Sequence, residues 1–216
     1  MIKALIFDLD GTLLNTLEDL KDSTNYALRY FGYPERSLEE VRCFVGNGVA
    51  KLIERAIPDG VENPDFQDCL KLFRENYSQN MYNHTAPYQG IMELLVNLRE
   101  KGYKIAVVSN KFDAAVKELC DKYFTNLIDV AIGQMDDVPK KPAPNGVYKA
   151  IQELGVDRKN CVYIGDSEVD VKTAYNASLP CIGVLWGFRD ETVLKNEGCE
   201  MIVNSTDAII KLVEEL

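Results

Sequence analysis

The segment Ile6–Thr16, IFDLDGTLLNT, sets two carboxylates, Asp8 and Asp10, two residues apart at the end of an apolar run. Alternation along a strand puts both on one side and turns Leu9 into the core. A strand tip gains no stability from paired acids, so the pair points to chemistry. Gly11 lets the chain turn tightly beside an anion, and Thr12 adds a hydroxyl to that loop. Further along come Ser109-Asn110, Lys141 within KKPAP, and Asp166 and Asp170 within GDSEVD. Three or four carboxylates brought together repel one another, a state tolerable at neutral pH only with a bound cation or raised pKa values. Oxygen ligands favour a hard ion, and Mg²⁺ is the usual partner of phosphate substrates. A lysine and a hydroxyl suit the non-bridging oxygens of a phosphoryl group. The set therefore implies Mg²⁺-assisted phosphoryl transfer. The chain has no GxxxxGK[ST] loop, which argues against a P-loop nucleotide site.

These residues need a scaffold that collects them. IKALIF, KIAVVS (104–109), LIDVAI (127–132), CVYIG (161–165), CIGVLW (181–186) and EMIV (200–203) read as strands, with helical periodicity between them. Asp113 is placed to cap a helix with an apolar face of Val116, Leu119, Cys120 and Tyr123. Val147, Ile151 and Leu154 mark the next helix, closed by Gly155. Alternating strands and helices predict an α/β fold: a Rossmann-like parallel sheet with helices on both faces. Ligands of such sheets bind beyond the carboxyl ends of the strands, where every residue named above falls.

From Leu17 to about His84 the rhythm changes to helical stripes alone. These are Leu17/Leu20/Thr24/Ala27/Phe31, Val41/Phe44 behind a Ser37–Glu40 capping box, Val49/Leu52/Ile53/Ala56/Ile57 and Phe66/Leu70/Phe73/Tyr77. That is too much helix for one crossover. We read residues 17–83 as a separate α-helical insert and residues 1–16 with 84–216 as the α/β core, joined near 14–17 and 80–88.

Bulk properties narrow the function. A net charge of −10 disfavours nucleic-acid binding. No apolar stretch has membrane-spanning length, and the first residues run directly into a strand pattern, so a cytoplasmic protein is expected. The six scattered cysteines form no CxxC pair and read as reduced thiols. His84, the only histidine, reads as a solvated linker residue.

DLDGT, a strand-end Ser-Asn, KKPAP and GDSEVD, in this order and spacing along the whole chain, resemble the haloacid dehalogenase-like hydrolases. The helical insert falls where one large subgroup carries a small α-helical cap. FVGNGVAKLI (44–53) and VPKKPAP (138–144) resemble the phosphoglycolate phosphatase and pyrophosphatase branch. The resemblance implies that Asp8 is the nucleophile that forms an aspartyl-phosphate. Asp10 then protonates the departing alcohol and later deprotonates water. Lys141, chosen over Lys140 because it directly precedes Pro142, neutralises charge on Asp8 and the phosphate. Ser109 and Asn110, with Thr12 supporting the loop, bind the phosphoryl group. Asn47, between Gly46 and Gly48, is the expected cap contact with substrate. Asp8, Asp10 through its backbone carbonyl, and Asp166 hold Mg²⁺, while Asp170 holds a metal-bound water or orients Lys141. Asn15 stands where many relatives carry a second acid. Arg42, Lys51 and Arg55 are the cap cations available to a substrate carboxylate, and Trp186 and Phe188 are expected to pack, with a loop bordering the pocket as the alternative.

The function expected is a Mg²⁺-dependent phosphatase acting on a small phosphorylated metabolite, as a monomer or weak homodimer. A β-phosphoglucomutase-like mutase, an inorganic pyrophosphatase and a 5′-nucleotidase are alternatives within the fold. A phosphonatase would need a cap lysine, for which Lys51 is the option. A receiver-type phospho-acceptor domain is the alternative outside enzymes, and Asp10 and the large insert both disfavour it.

Overall fold

The structure is a computed structural model that describes residues 1–135 and 138–216. In chain order the elements begin with β1 (Ala4–Phe7) and β2 (Leu14–Asn15). Helices α1 (Leu17–Tyr30), α2 (Leu38–Phe44), α3 (Val49–Ala56) and α4 (Phe66–Asn80) follow without an intervening strand. Then come β3 (Ala86–Pro87), α5 (Ile91–Glu100), β4 (Lys104–Phe112), α6 (Asp113–Tyr123), β5 (Val130–Gln134) and α7 (Asn145–Leu154). The last are β6 (Cys161–Gly165), α8 (Glu168–Ala177), β7 (Cys181–Val184), α9 (Glu191–Asn196), β8 (Met201–Val203) and α10 (Thr206–Glu215). The chain divides into two compact units, one of Met1–Leu14 with Pro87–Leu216 and one of Asn15–Ala86. The chain passes between them at β2 and β3, which pair as a two-stranded sheet.

The first unit is a six-stranded parallel sheet in the order β5-β4-β1-β6-β7-β8. This is the α/β, Rossmann-like class that the sequence implies. All four residues of β1 are fully buried, as expected of a central strand covered on both faces. On one face Ala4, Ile6, Ala106, Val108, Val130 and Ile132 pack against Val147, Ala150, Ile151 and Leu154 of α7 and Ala174 and Ala177 of α8. The crossover order sets β1 between β4 and β6, so the ends of these three strands open side by side.

Two local expectations change. The strand expected over 127–132 is β5, from Val130, because Asp129 spends its carboxylate accepting the Ile105 N–H (2.8 Å) and pairing with Arg99. Asp113 does not cap α6. It is the first helical residue, and its Oδ1 accepts the Gly133 N–H (2.9 Å) while Oδ2 takes Lys117, tying α6 to β5.

In the second unit α1 packs on α4, and the apolar stripes meet around Leu28, Leu52, Ile53, Phe73 and Tyr77, all buried. The Phe73 and Tyr77 rings stack at 5.6 Å. The Ser37–Glu40 capping box forms, with Glu40 N–H donating to Ser37 Oγ (3.2 Å) and Ser37 N–H donating to Glu40 Oε2 (2.8 Å). Buried Asp19 accepts the His84 and Thr85 N–H groups and the Thr85 hydroxyl at 2.7–3.1 Å, closing the unit's last segment onto α1. The His84 ring is half exposed, near Glu18 and Asp22. The six cysteines are free. Among the described residues no helix is long and apolar enough to cross a membrane.

Candidate active site

Asp8 is the first residue past β1, and its N–H donates to Ile164 O (2.9 Å), so its position is fixed by the β1–β6 ladder. The chain then folds back on itself: Leu13 and Leu14 N–H both donate to Leu9 O (2.9 Å), and Gly11 N–H donates to Leu14 O (2.9 Å). Gly11 has φ +90°, a left-handed conformation that glycine adopts without strain. A Cβ there would overlap the Asp166 carboxylate, so both the conformation and the space require glycine.

Asp166 follows β6 directly and is fully buried. Its Oδ1 accepts the Thr12 hydroxyl (2.9 Å) and its Oδ2 accepts the Phe188 N–H (2.8 Å). Asp170 lies in the first turn of α8, where Oδ2 accepts the Ser167 N–H (3.1 Å) and hydroxyl (2.6 Å). Its other oxygen faces Lys141. The Lys141 ammonium is 4% exposed and lies 2.9 Å from Asp8 Oδ1, 2.8 Å from Asp170 Oδ1 and 3.0 Å from the Tyr163 hydroxyl. The Asn110 side-chain amide clamps both backbone groups of Lys141: Lys141 N–H donates to Oδ1 (2.8 Å), and Nδ2 donates to Lys141 O (3.0 Å). Lys140 is exposed, so burial separates the two lysines in favour of Lys141.

Asp8, Asp166 and Asp170 bring one ligand oxygen each to within 4.8 Å of one another, and all three are buried. Burial first, then the Asp170 charge, raises the Asp8 pKa well above the usual carboxylate range, against the pull of Lys141. Burial and Asp170 likewise push Asp166 up to about 7. Burial alone would lower Lys141, but Asp170 and Asp8 outweigh it and raise its pKa, keeping it an ammonium. This centre is short of positive charge.

That shortage has a measurable sign. Without metal, folded Asp166 keeps its proton up to about 7, whereas an unfolded aspartate releases it near 3.8. The stability contributed by this group is present below about pH 4 and is lost as pH rises through about 7. In EDTA, Asp166→Asn should therefore gain thermal stability relative to the parent as pH rises from about 4 to about 7. Melting curves of the two proteins across that range test it, and a difference that stays flat or shrinks contradicts the assignment.

Asp10 stands apart from the acidic triad. Both of its carboxylate oxygens accept from Lys111 Nζ, at 2.9 and 2.8 Å, and the Lys111 side chain is 1% exposed. Ser109, buried at the end of the β4 core, accepts the Lys111 N–H on its hydroxyl (3.2 Å). The Thr12 hydroxyl is directed to Asp166 rather than outward. Asn47 belongs to the other unit, at the turn between α2 and α3, half-buried between Gly46 and Gly48. The three cap cations make bonds inside that unit: Arg42 with Glu39, Lys51 with Glu54, and Arg55 with Phe44 O (2.7 Å).

Sequence reasoning missed Lys111 and Tyr163. Lys111 directly follows the Ser-Asn pair and carried its own signal, a cation inside a buried strand end. Tyr163 reads as one more apolar strand residue until Lys141 is placed beside it. Trp186 and Phe188, expected to pack with a pocket-bordering loop as the alternative, frame the site: Trp186 Nε1–H donates to Thr12 O (2.9 Å), and Phe188 supplies its N–H to Asp166. Gly187 between them has no room for a Cβ, which would meet Asp166 and Gly11 O.

The family model for haloacid dehalogenase-like hydrolases matches residues 5–184, most of the core and all of the insert. The chain belongs to the haloacid dehalogenase-like hydrolases. Two of its relatives are phosphoglycolate phosphatases. That of Pseudomonas putida is 31% identical over 96% of this chain and 78% of the relative. That of Mesorhizobium japonicum is 31% identical over 98% and 95%. Among solved structures, a candidate phosphoglycolate phosphatase from Lactobacillus delbrueckii subsp. bulgaricus is 36% identical, covering 99% of this chain and 97% of its own with a TM-score of 0.92. CbbY of Rhodobacter sphaeroides, in complex with phosphate, is 26% identical over 95% of both chains with a TM-score of 0.76. As a haloacid dehalogenase-like hydrolase with these relatives, the chain is a phosphatase.

Proposed function

We propose that this phosphatase hydrolyses 2-phosphoglycolate or a closely similar small phosphomonoester, carrying the phosphoryl group on Asp8 with Mg²⁺ as cofactor. The observation that carries the reading is the Lys141 ammonium bridging Asp8 and Asp170, with Asp166 completing a buried acidic triad. Relatives named phosphoglycolate phosphatases, similar over nearly the whole chain, support the substrate.

Asp8 Oδ1 is held by the Leu9 N–H (2.7 Å) and by Lys141, which leaves Oδ2 for phosphorus. Oδ2 forms the bond to phosphorus as the bond to the alcohol oxygen breaks, and Asp10 gives the alcohol its proton. Water then attacks phosphorus, Asp10 takes its proton, and Asp8 leaves as carboxylate. Splitting the transfer this way replaces one difficult displacement by two easier ones. Lys141 offsets negative charge on Asp8 throughout and reaches the phosphoryl oxygens from the same side.

The donor set fits a hard divalent ion, because the triad supplies only carboxylate oxygens and has raised pKa values that a cation would offset. Asp8 and Asp166 would hold Mg²⁺, with Asp170 contributing through Lys141 or a water. When bound, Mg²⁺ neutralises charge on the phosphoryl oxygens.

Phosphate release from 2-phosphoglycolate, pyrophosphate, glucose 1-phosphate and a nucleoside 5′-monophosphate, each with Mg²⁺ and with EDTA, tests this reading. The expected result is fastest release from 2-phosphoglycolate and none in EDTA. Release from no phosphate compound in Mg²⁺ would overturn it, and faster pyrophosphate or nucleotide cleavage would reassign the substrate.

A further inference from the structure

Lys111 has no part in the steps derived above, yet it is as thoroughly buried as Lys141. Its ammonium lies 2.8–2.9 Å from both oxygens of Asp10, whose side chain is 19% exposed. A lysine is rarely buried to this degree without a charged partner. Contact with both oxygens from one buried ammonium holds the carboxylate in place with its open end toward the lysine. The ladder supplies the rest: Lys111 sits in β4, beside β1, within the register shift between Val108 and Phe112. Ser109 lies in the same irregular stretch, and its hydroxyl receives the Lys111 N–H (3.2 Å).

We infer that Lys111 is a positioning residue that aims the Asp10 carboxylate for hydrolysis of the aspartyl-phosphate. The inference rests on the function proposed above. Once Asp10 has given its proton to the departing alcohol, the Lys111 ammonium faces both oxygens of the carboxylate that remains. In the first half of the cycle Asp10 only has to release a proton to the alcohol, whereas in the second its carboxylate has to be aimed at the attacking water. Breakdown uses the carboxylate: water adds to phosphorus, its proton passes to Asp10, and the phosphorus–Asp8 bond breaks to release inorganic phosphate. Loss of Lys111 therefore slows the second half of the cycle more than the first.

This asymmetry separates positioning from a merely structural salt bridge. In a two-step mechanism kcat/KM reports only steps up to formation of the covalent intermediate, whereas breakdown enters kcat and KM together. For Lys111→Met with 2-phosphoglycolate and Mg²⁺, decay of phosphoenzyme followed by rapid acid quench should slow by about tenfold or more, a fraction of the 10²–10⁴ that general bases supply. Its kcat/KM should stay within about threefold of the parent, and KM should fall alongside kcat. Lys111→Arg, which keeps the cation, should recover most of the decay rate. The inference is overturned if kcat/KM falls with kcat, or if decay in Lys111→Met matches the parent. Should Lys111→Met not fold, Lys111→Gln decides by the same two readings, a parent-like kcat/KM with decay slower than the parent's supporting the inference, and an equal loss in both or a parent-like decay overturning it. A parent enzyme that never accumulates or turns over a phosphoenzyme would instead defeat the proposed function itself.

Discussion

Asp8→Asn should abolish turnover, lowering phosphate release by about 10⁴-fold or more, the scale seen when a nucleophile is removed from a preorganised site. The amide keeps the size of the carboxylate and can still accept the Leu9 N–H, so the β1 loop has no reason to move. What it loses is the anion that bonds to phosphorus. Stability should move the other way. Asp8 is one of three buried carboxylates, and its raised pKa records that burial and Asp170 both oppose its charge. Removing that charge relieves the repulsion while Lys141 keeps Asp170 as a partner. In EDTA at neutral pH the variant should melt at or above the parent temperature. An inactive variant of undiminished stability separates lost chemistry from lost fold, and full activity would defeat the assignment of Asp8.

Lys141→Met should damage both properties. Its ammonium is the positive charge at the centre of the triad, bonded to Asp8, Asp170 and Tyr163. Methionine fills much of the volume but leaves the carboxylates facing one another without compensation. Breaking a buried ion pair on one side costs about 3–5 kcal/mol, and part of this cost is avoided where the acids take up protons instead. Turnover should fall by about 10³-fold or more, because charge on Asp8 and on the transferring group loses its fixed counter-charge. Mg²⁺ should raise the melting temperature of the variant more than that of the parent, since the cation then supplies charge that the lysine gave. Calorimetry with Mg²⁺ and with EDTA, alongside phosphate release, tests this. Equal Mg²⁺ effects in the two proteins would contradict the shared-charge picture.

Much of this centre is legible in the sequence because of how parallel sheets are built. Asp8, Ser109, Lys141 and Asp166 lie far apart along the chain, but Asp8, Ser109 and Asp166 each end an apolar run with strand periodicity, Lys141 comes between a strand and the next helix, and parallel strands end on one edge. The strands themselves read clearly where both faces are buried, as in β1 and β6. Side-chain commitments are less visible. Nothing in the local pattern tells that Asp129 turns back on Ile105, or that Asp113 bonds across to Gly133 instead of capping its helix. The same is true of Asn110, expected to bind the phosphoryl group, whose side chain holds both backbone groups of Lys141. Lys111 was hidden by its neighbours: Ser109 and Asn110 explained the segment without it, and its partner Asp10 lies on another strand's loop, 101 residues away. Trp186 and Phe188 act through an indole N–H and a backbone N–H, and residue identity alone does not report which backbone groups face a site.

The central claim is that phosphorus bonds covalently to Asp8. Acid quench of the enzyme during turnover of 2-phosphoglycolate with Mg²⁺, followed by peptide mass analysis, tests it most directly. The expected result is one added phosphoryl group on the peptide containing Asp8, absent from Asp8→Asn and lost when the quenched sample is treated with hydroxylamine. Rapid turnover with every peptide unmodified at all quench times, or a phosphoryl group on a different residue, would contradict it.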